Sequence, residues 1–212
     1  MKIELEQVEP ADIEKRSFEI IESELPHEID PELAPIIKRA VHTAADFDYV
    51  DNLCFSEDVV TKALNSIKNG ASIVTDTQMA KSGINKNELK KHGGEVFCFM
   101  SDDDVREMAK KNGSTRARAS MDKAAQMDKP LIFAIGNAPT ALIELCNFIK
   151  NGFYPELVIG VPVGFVNVVA SKELLMQTDV PFIVSKGRKG GSTVAAAICN
   201  ALLYKAGGRK PI

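Results

Sequence analysis

Sulfur and imidazole are scarce in this chain, whose 212 residues hold four cysteines and three histidines. Cys54, Cys98, Cys146 and Cys199 stand far apart among apolar neighbours, with no Cys-x-x-Cys pair to hold zinc or exchange a disulfide. His27, His42 and His92 are equally scattered and lack the His-x-x-x-His spacing of a metal site. This pattern predicts buried thiols and no protein-bound catalytic metal. Positive charge is not in excess either: 26 basic and 29 acidic residues leave a net charge of -3. That argues against nucleic acid or an acidic membrane as partner, and any anionic ligand has to be held by local groups. Long apolar runs are missing too. Residues 157–163 and 194–203 are too short or too interrupted to cross about 30 Å of hydrocarbon. Residues 1–10 alternate charged and apolar side chains, without the basic stretch and apolar core of a secretory signal, so the expected location is the cytoplasm.

What is present is an ordinary globular composition, 45% hydrophobic and 26% charged, in a chain long enough to bury roughly 70% of its unfolded surface. The length favours one domain over two. From about residue 70 onward, short β-branched or aromatic runs alternate with turn residues and helical patterns. The strands expected are 71–75, 95–100, 131–135, 157–161 and 182–185. They are continuous rather than alternating, and helices separate them, which predicts a doubly wound α/β domain with a parallel sheet of about five strands covered on both faces. Before residue 70 the pattern shows no convincing strand. Helices are expected near 12–24, 32–45 and 57–68, so residues 1–69 read as a helical extension packed on a sheet body formed by 70–212.

Ligands of open parallel sheets bind beyond the carboxyl ends of the strands. The turns there read Thr75-Asp-Thr77, Ser101-Asp102, Gly136-Asn-Ala-Pro-Thr140, Gly160-Val-Pro-Val-Gly164 and Lys186-Gly-Arg-Lys-Gly-Gly-Ser192. Hydroxyls, amides and free N–H groups at helix starts suit an extended ligand with several anionic groups. The last turn is not a Walker loop, because Gly190-Gly191 stand where Gly-Lys should precede Ser192. It is either an anion-cradling turn or a plain strand-to-helix turn. Arg116 and Arg118 should project from the first turn of a helix, where a cation opposes the dipole. Either an anion sits between them or they form surface salt bridges. On its helix His42 points away from the face shared by Leu33, Ile37, Ala40, Val41 and Ala44, the pattern of an exposed bystander. Ser17 lies among Ile13, Ile20 and Ile21, as a small packing residue or a hydroxyl lining a pocket.

Six blocks together carry a specific resemblance. They are Arg39-Ala-Val-His-Thr-Ala-Ala-Asp46; Thr75-Asp-Thr-Gln-Met79 with Ser82-Gly-Ile84; Thr115-Arg-Ala-Arg118; Gly136-Asn-Ala-Pro-Thr-Ala-Leu142; Gly160-Val-Pro-Val-Gly-Phe-Val166 with Ser171-Lys172; and Gly187-Arg-Lys-Gly-Gly-Ser192 with Asn200-Ala-Leu202. In this order, over nearly the whole chain, they resemble the precorrin-8X (cobalt-precorrin-8) methylmutase family.

The resemblance implies a flavodoxin-like homodimer without a cofactor. It implies an isomerase that moves a methyl group from C11 to C12 of a corrin macrocycle, giving hydrogenobyrinic acid or its cobalt counterpart, cobyrinic acid. His42 then becomes the catalytic histidine. Ser17 and Arg39, with Thr75, Thr77, Arg116, Arg118, Asn137 and Thr140, become candidate substrate contacts, as do Val163, Gly164, Lys172 and Ser192. A phosphoacceptor domain would need an aspartate where Gly136-Asn137 stand, and a dinucleotide enzyme a Gly-x-Gly-x-x-Gly where Thr75-Asp-Thr-Gln stands. The competing reading is a tetrapyrrole-binding protein without chemistry.

Overall fold

The computed structural model describes residues 5–209. Three helices open the chain, α1 (Ile13–Ser23), α2 (Ala34–Ala44) and α3 (Tyr49–Asn52), followed by β1 (Leu53–Phe55), α4 (Val59–Lys68) and β2 (Ser72–Thr75). Next come α5 (Gln78–Gly83), α6 (Lys86–Lys90), β3 (Val96–Phe97), α7 (Asp103–Lys111), α8 (Arg116–Ala124) and β4 (Leu131–Ile135). The chain ends with α9 (Pro139–Lys150), β5 (Leu157–Gly160), α10 (Val168–Leu175), β6 (Phe182–Ser185) and α11 (Ser192–Ala206).

The six strands lie in the order β1-β6-β5-β4-β2-β3. Within the parallel part, β2 to β6, the spatial order is second, first, third, fourth, fifth, the flavodoxin-like winding. Successive strand residues feed opposite layers. Ile73, Ile132, Ile159 and Ile183 pack with α2, α4 and α11, whereas Val74, Phe133, Val158 and Val184 pack with α8, α9 and α10. Burial on both faces is why these runs are continuously apolar.

One expectation is corrected. Residues 53–55 form a sixth strand, antiparallel to β6 with Leu53 opposite Ser185. Three residues are too few to show a periodicity, and their pairing comes from the far end of the sequence. Strand β3 is also shorter than the expected 95–100 run. The helix α11 is apolar all round, with Val194 to Cys199 and Ala201 to Leu203 buried. Such a helix needs cover on every side. The sheet provides it on one side and α2 on the other, so the opening helices sit against the closing one. Among the described residues no helix is long and apolar enough to cross a membrane.

Candidate active site

Helix α2 begins with Pro35 in its first turn and ends at Ala45, which takes the left-handed conformation at φ 49°. This stop places His42 in the last turn, where the helix leaves α11. Of the expected apolar face, Ile37, Ala40 and Val41 are buried and Leu33 is partly so, whereas Ala44 is exposed, and His42 is half-buried rather than exposed. Phe18 of α1 covers it, ring on ring, at 5.2 Å between centroids and 14° between planes. Arg39, one turn earlier, lies over the other aromatic neighbours: its guanidinium is 4.8 Å from the Phe18 centroid and 5.5 Å from that of Tyr204. It is also paired with Glu14.

The imidazole opens on a cavity of about 310 Å³ walled by Arg39, Met79, Thr193, Asn200 and Tyr204, with small residues Gly83, Ala196 and Ala197 as its floor. Asn200 is fixed by accepting from the Asn85 N–H at 2.8 Å and donating to the Gly83 carbonyl at 2.9 Å. Thr77 caps α5 by accepting from the Ala80 N–H at 3.1 Å, and its hydroxyl meets that of Ser192 at 2.7 Å. Ser192 opens α11, so Thr193 follows directly into the cavity wall. Through Arg39 and Tyr204 this space adjoins a larger one of about 940 Å³ between α1, α2 and α11.

Comparison with known proteins decides the family. The precorrin-8X methylmutase family model matches residues 12–205. The chain belongs to the precorrin-8X methylmutase family. It is 48% identical to the cobalt-precorrin-8 methylmutase of Priestia megaterium, over 92% of this chain and 88% of that one. Identity to the Salmonella typhimurium protein of the same name is 45%, over 92% and 95%. The precorrin-8X methylmutase of Sinorhizobium sp is 35% identical, over 90% and 92%. A crystal structure of precorrin-8x methyl mutase from Thermus thermophilus superposes with a TM-score of 0.84 at 39% identity, covering 93% of this chain and 98% of that one. The protein is therefore an isomerase of cobalamin biosynthesis, an intramolecular methyl transferase.

Against that identity, the residues expected from the sequence divide into three groups. The first gathers around the cavity: His42 and Arg39 line it, with Thr77 and Ser192 joined beside Thr193. The second lies on the same strand-end rim, across the sheet. Arg116 and Arg118 are exposed in the first turn of α8, as expected. Thr140 meets the Thr115 cap hydroxyl at 3.1 Å, Asn137 is exposed, and Val163, Phe165 and Val166 project 46%, 80% and 80% exposed from the turn after β5. Gly164 donates its N–H to the Arg188 carbonyl at 3.2 Å. Arg188 in turn lies over the Phe165 ring.

The third group is corrected. Thr75 is fully buried and donates to the carbonyls of Thr77 and Phe97, so it ties two strands together rather than meeting a ligand. Lys172 is 1% exposed, with its ammonium donating to the Gly187 and Lys189 carbonyls at 2.8 Å. A substrate carboxylate cannot reach it there, and burial pushes its pKa down to about 8. Of the two readings of Arg116 and Arg118, the salt bridge is the one seen for Arg118, which pairs with the buried Glu144 at 2.9 Å. Ser17 returns its hydroxyl to the Ile13 carbonyl at 2.9 Å. Its face is not an apolar core stripe, since Ile13 and Ile20 are 53% and 37% exposed.

Asp76 was not foreseen. It sits at the crevice between β2 and β4, where flavodoxin-like sheets usually admit their ligands. Fully buried, it accepts the N–H groups of Gly136, Asn137 and Ala138 at 2.9, 2.8 and 2.6 Å. Burial pushes its carboxyl pKa up, and the three N–H donors oppose that. Loop amides expected to cradle substrate arms are therefore already occupied. Gly136 also lets the start of α11 come close, because a Cβ there would stand 2.7 Å from the Ser192 Cα. The one sequence signal was an aspartate directly after a strand run of small and β-branched residues, Ala71 to Thr75.

Proposed function

We propose that the reaction occurs at His42, on a cobalt-containing macrocycle, and that His42 donates and recovers the proton. The observation that carries this is the half-buried imidazole at the mouth of the cavity. Phe18 holds its plane, and among the described residues its ring nitrogens have no hydrogen-bond partner to occupy them. An imidazole can donate a proton from one ring nitrogen and recover it there, as a general acid that is regenerated must. Protonation at or near ring C selects the tautomer from which the methyl group migrates from C11 to C12. The carbon–carbon bond to C11 breaks as the bond to C12 forms, and the proton then returns to the imidazole. Nothing is consumed, as an isomerisation requires. Arg39 and Arg116, with the Thr77 and Ser192 hydroxyls, are the donors available to acetate and propionate arms.

Cobalt-precorrin-8 as substrate is supported by the relatives bearing that name, among which identity reaches 48% in Priestia megaterium, against 35% for the precorrin-8X enzyme of Sinorhizobium sp. A symmetric homodimer completes the site in this reading. The His42 cavity, about 310 Å³, is at the small end for even a drug-sized ligand, and exposed Ile13, Phe165 and Val166 offer apolar surface for a second copy to cover. Four free cysteines suit a reducing cytoplasm.

The test is His42→Ala with cobalt-loaded and metal-free precorrin-8, followed by the visible spectrum. Turnover of the cobalt substrate should fall about 10² to 10⁴-fold, while product still binds. Near-normal turnover would remove His42 from the mechanism. Saturable binding by wild type without conversion of either substrate would favour the tetrapyrrole-binding reading.

A further inference from the structure

Lys172 projects from α10 into the interior with no carboxylate in ion-pairing range among the described residues; its partners are the backbone carbonyls of Gly187 and Lys189. A buried ammonium costs several kcal/mol of desolvation that two neutral acceptors do not return in full. Stability therefore does not explain a lysine here, since a methionine of similar volume would pack at lower cost. Solvent and ligand do not explain it either, at 1% exposure.

What the ammonium touches is the turn between β6 and α11. Several contacts fix that turn. The Ser185 hydroxyl also donates to the Lys189 carbonyl at 2.8 Å, and the Gly191 N–H donates to the Val161 carbonyl at 2.9 Å. Gly190 passes so close to β5 that a Cβ would lie 2.1 Å from the Val161 oxygen. The turn then reaches both walls of the His42 cavity. Forward, it becomes Ser192 and Thr193, the first turn of α11. Sideways, the Lys189 ammonium bridges Asp46 and Asp48 at 2.6 Å each, just past the end of the helix that carries His42.

We propose that Lys172 is a positioning residue for the methyl migration: by holding the Gly187 and Lys189 carbonyls it sets where α2, with His42, stands relative to the first turn of α11. This rests on His42 as the proton donor. A neutral amine keeps two N–H groups, so the grip on two carbonyls survives loss of the proton.

The experiment uses the full chain with K172M and S185A, cobalt-precorrin-8 as substrate, and three readouts: kcat, product affinity by spectral titration, and thermal melting. In K172M, kcat should fall tenfold or more, the scale of a lost charge-assisted hydrogen bond, with product affinity within about threefold of wild type. In S185A, which removes the weaker grip on the same carbonyl, kcat should fall about two- to threefold with an unchanged melt. A role in folding alone would move the melt and leave kcat intact. Wild-type kcat in K172M overturns the proposal. If K172M does not fold, wild-type kcat in S185A overturns it. Near-normal turnover in H42A removes the premise separately, so the two failures can be told apart.

Discussion

Charge is handled in opposite ways at the strand-end rim and on the wall formed by α1, α2 and the end of α11. Under the rim, two buried charges meet backbone, Asp76 taking three N–H groups and Lys172 giving to two carbonyls, while buried Glu144 is paired with Arg118. On the wall, side chains meet side chains in partial solvent. Glu14 accepts from Arg39 and Arg209, and Lys38 donates to Glu22. A charge clamped by backbone fixes loops in one geometry, because moving it would strand several polar groups at once. A surface pair is weak, screened by salt and easily exchanged. The rim is therefore built to hold shape. The wall next to His42 keeps its charges in side-chain pairs that solvent partly reaches.

That contrast can be broken most sharply at Asp76. Replacing it by Ala strands three buried N–H groups and should cost about 3 to 5 kcal/mol in urea unfolding. Asn, which keeps one acceptor oxygen, should cost less. A loss for Asp76→Ala no greater than that of a surface pair would erase the distinction.

A smaller effect concerns pH. With its pKa lowered from 10.5 to about 8 by burial, Lys172 is charged in both folded and unfolded chains below about pH 8, and there the fold bears the whole desolvation penalty. Between about 8 and 10.5 the folded chain gives up this proton while the unfolded chain keeps it. The unfolded state then binds more protons, so this residue's contribution to stability rises with pH. The stability difference between wild type and K172M should therefore shift in favour of wild type by about 2 to 3 kcal/mol from pH 7 to 10.5. A difference that is flat in pH would mean that the ammonium is not desolvated.

The smallest effect belongs to the wall. Glu14→Gln should cost no more than about 1 kcal/mol, and the cost should shrink further in high salt. A larger, salt-independent loss would place Glu14 with the rim.

Much of the architecture was legible because a sheet covered on both faces writes itself as continuous apolar runs: the expected strands 131–135 and 182–185 coincide with β4 and β6. Strand β1 was not legible, because its partner lies about 130 residues away and three residues carry no period. His42, Arg39, Thr77 and Ser192 were reached through their family blocks, and they do come together in space. Lys172 misled, because it was reached only through its family block and nothing in the sequence around it announces its burial. In the sequence Arg118 reads either as a ligand contact or as a salt-bridge partner; its partner, Glu144, sits on the next helix, and nothing in the sequence near Arg118 announces it. Phe18 and Tyr204, which flank Arg39, were invisible because their contacts exist only once the first and last helices meet.

That meeting of distant helices constrains the order in which contacts can form. As the ribosome delivers the chain, α2 and its histidine emerge well before α11, their packing surface, and β1 waits for β6. Contacts so distant in sequence form slowly and close loops of more than a hundred residues. Until α11 is released the nascent chain exposes the apolar side of α2 and lacks the wall that Thr193, Asn200 and Tyr204 give the His42 cavity. A chain lost to premature termination before Ser192 would be both inactive and sticky, the type of product that quality control removes.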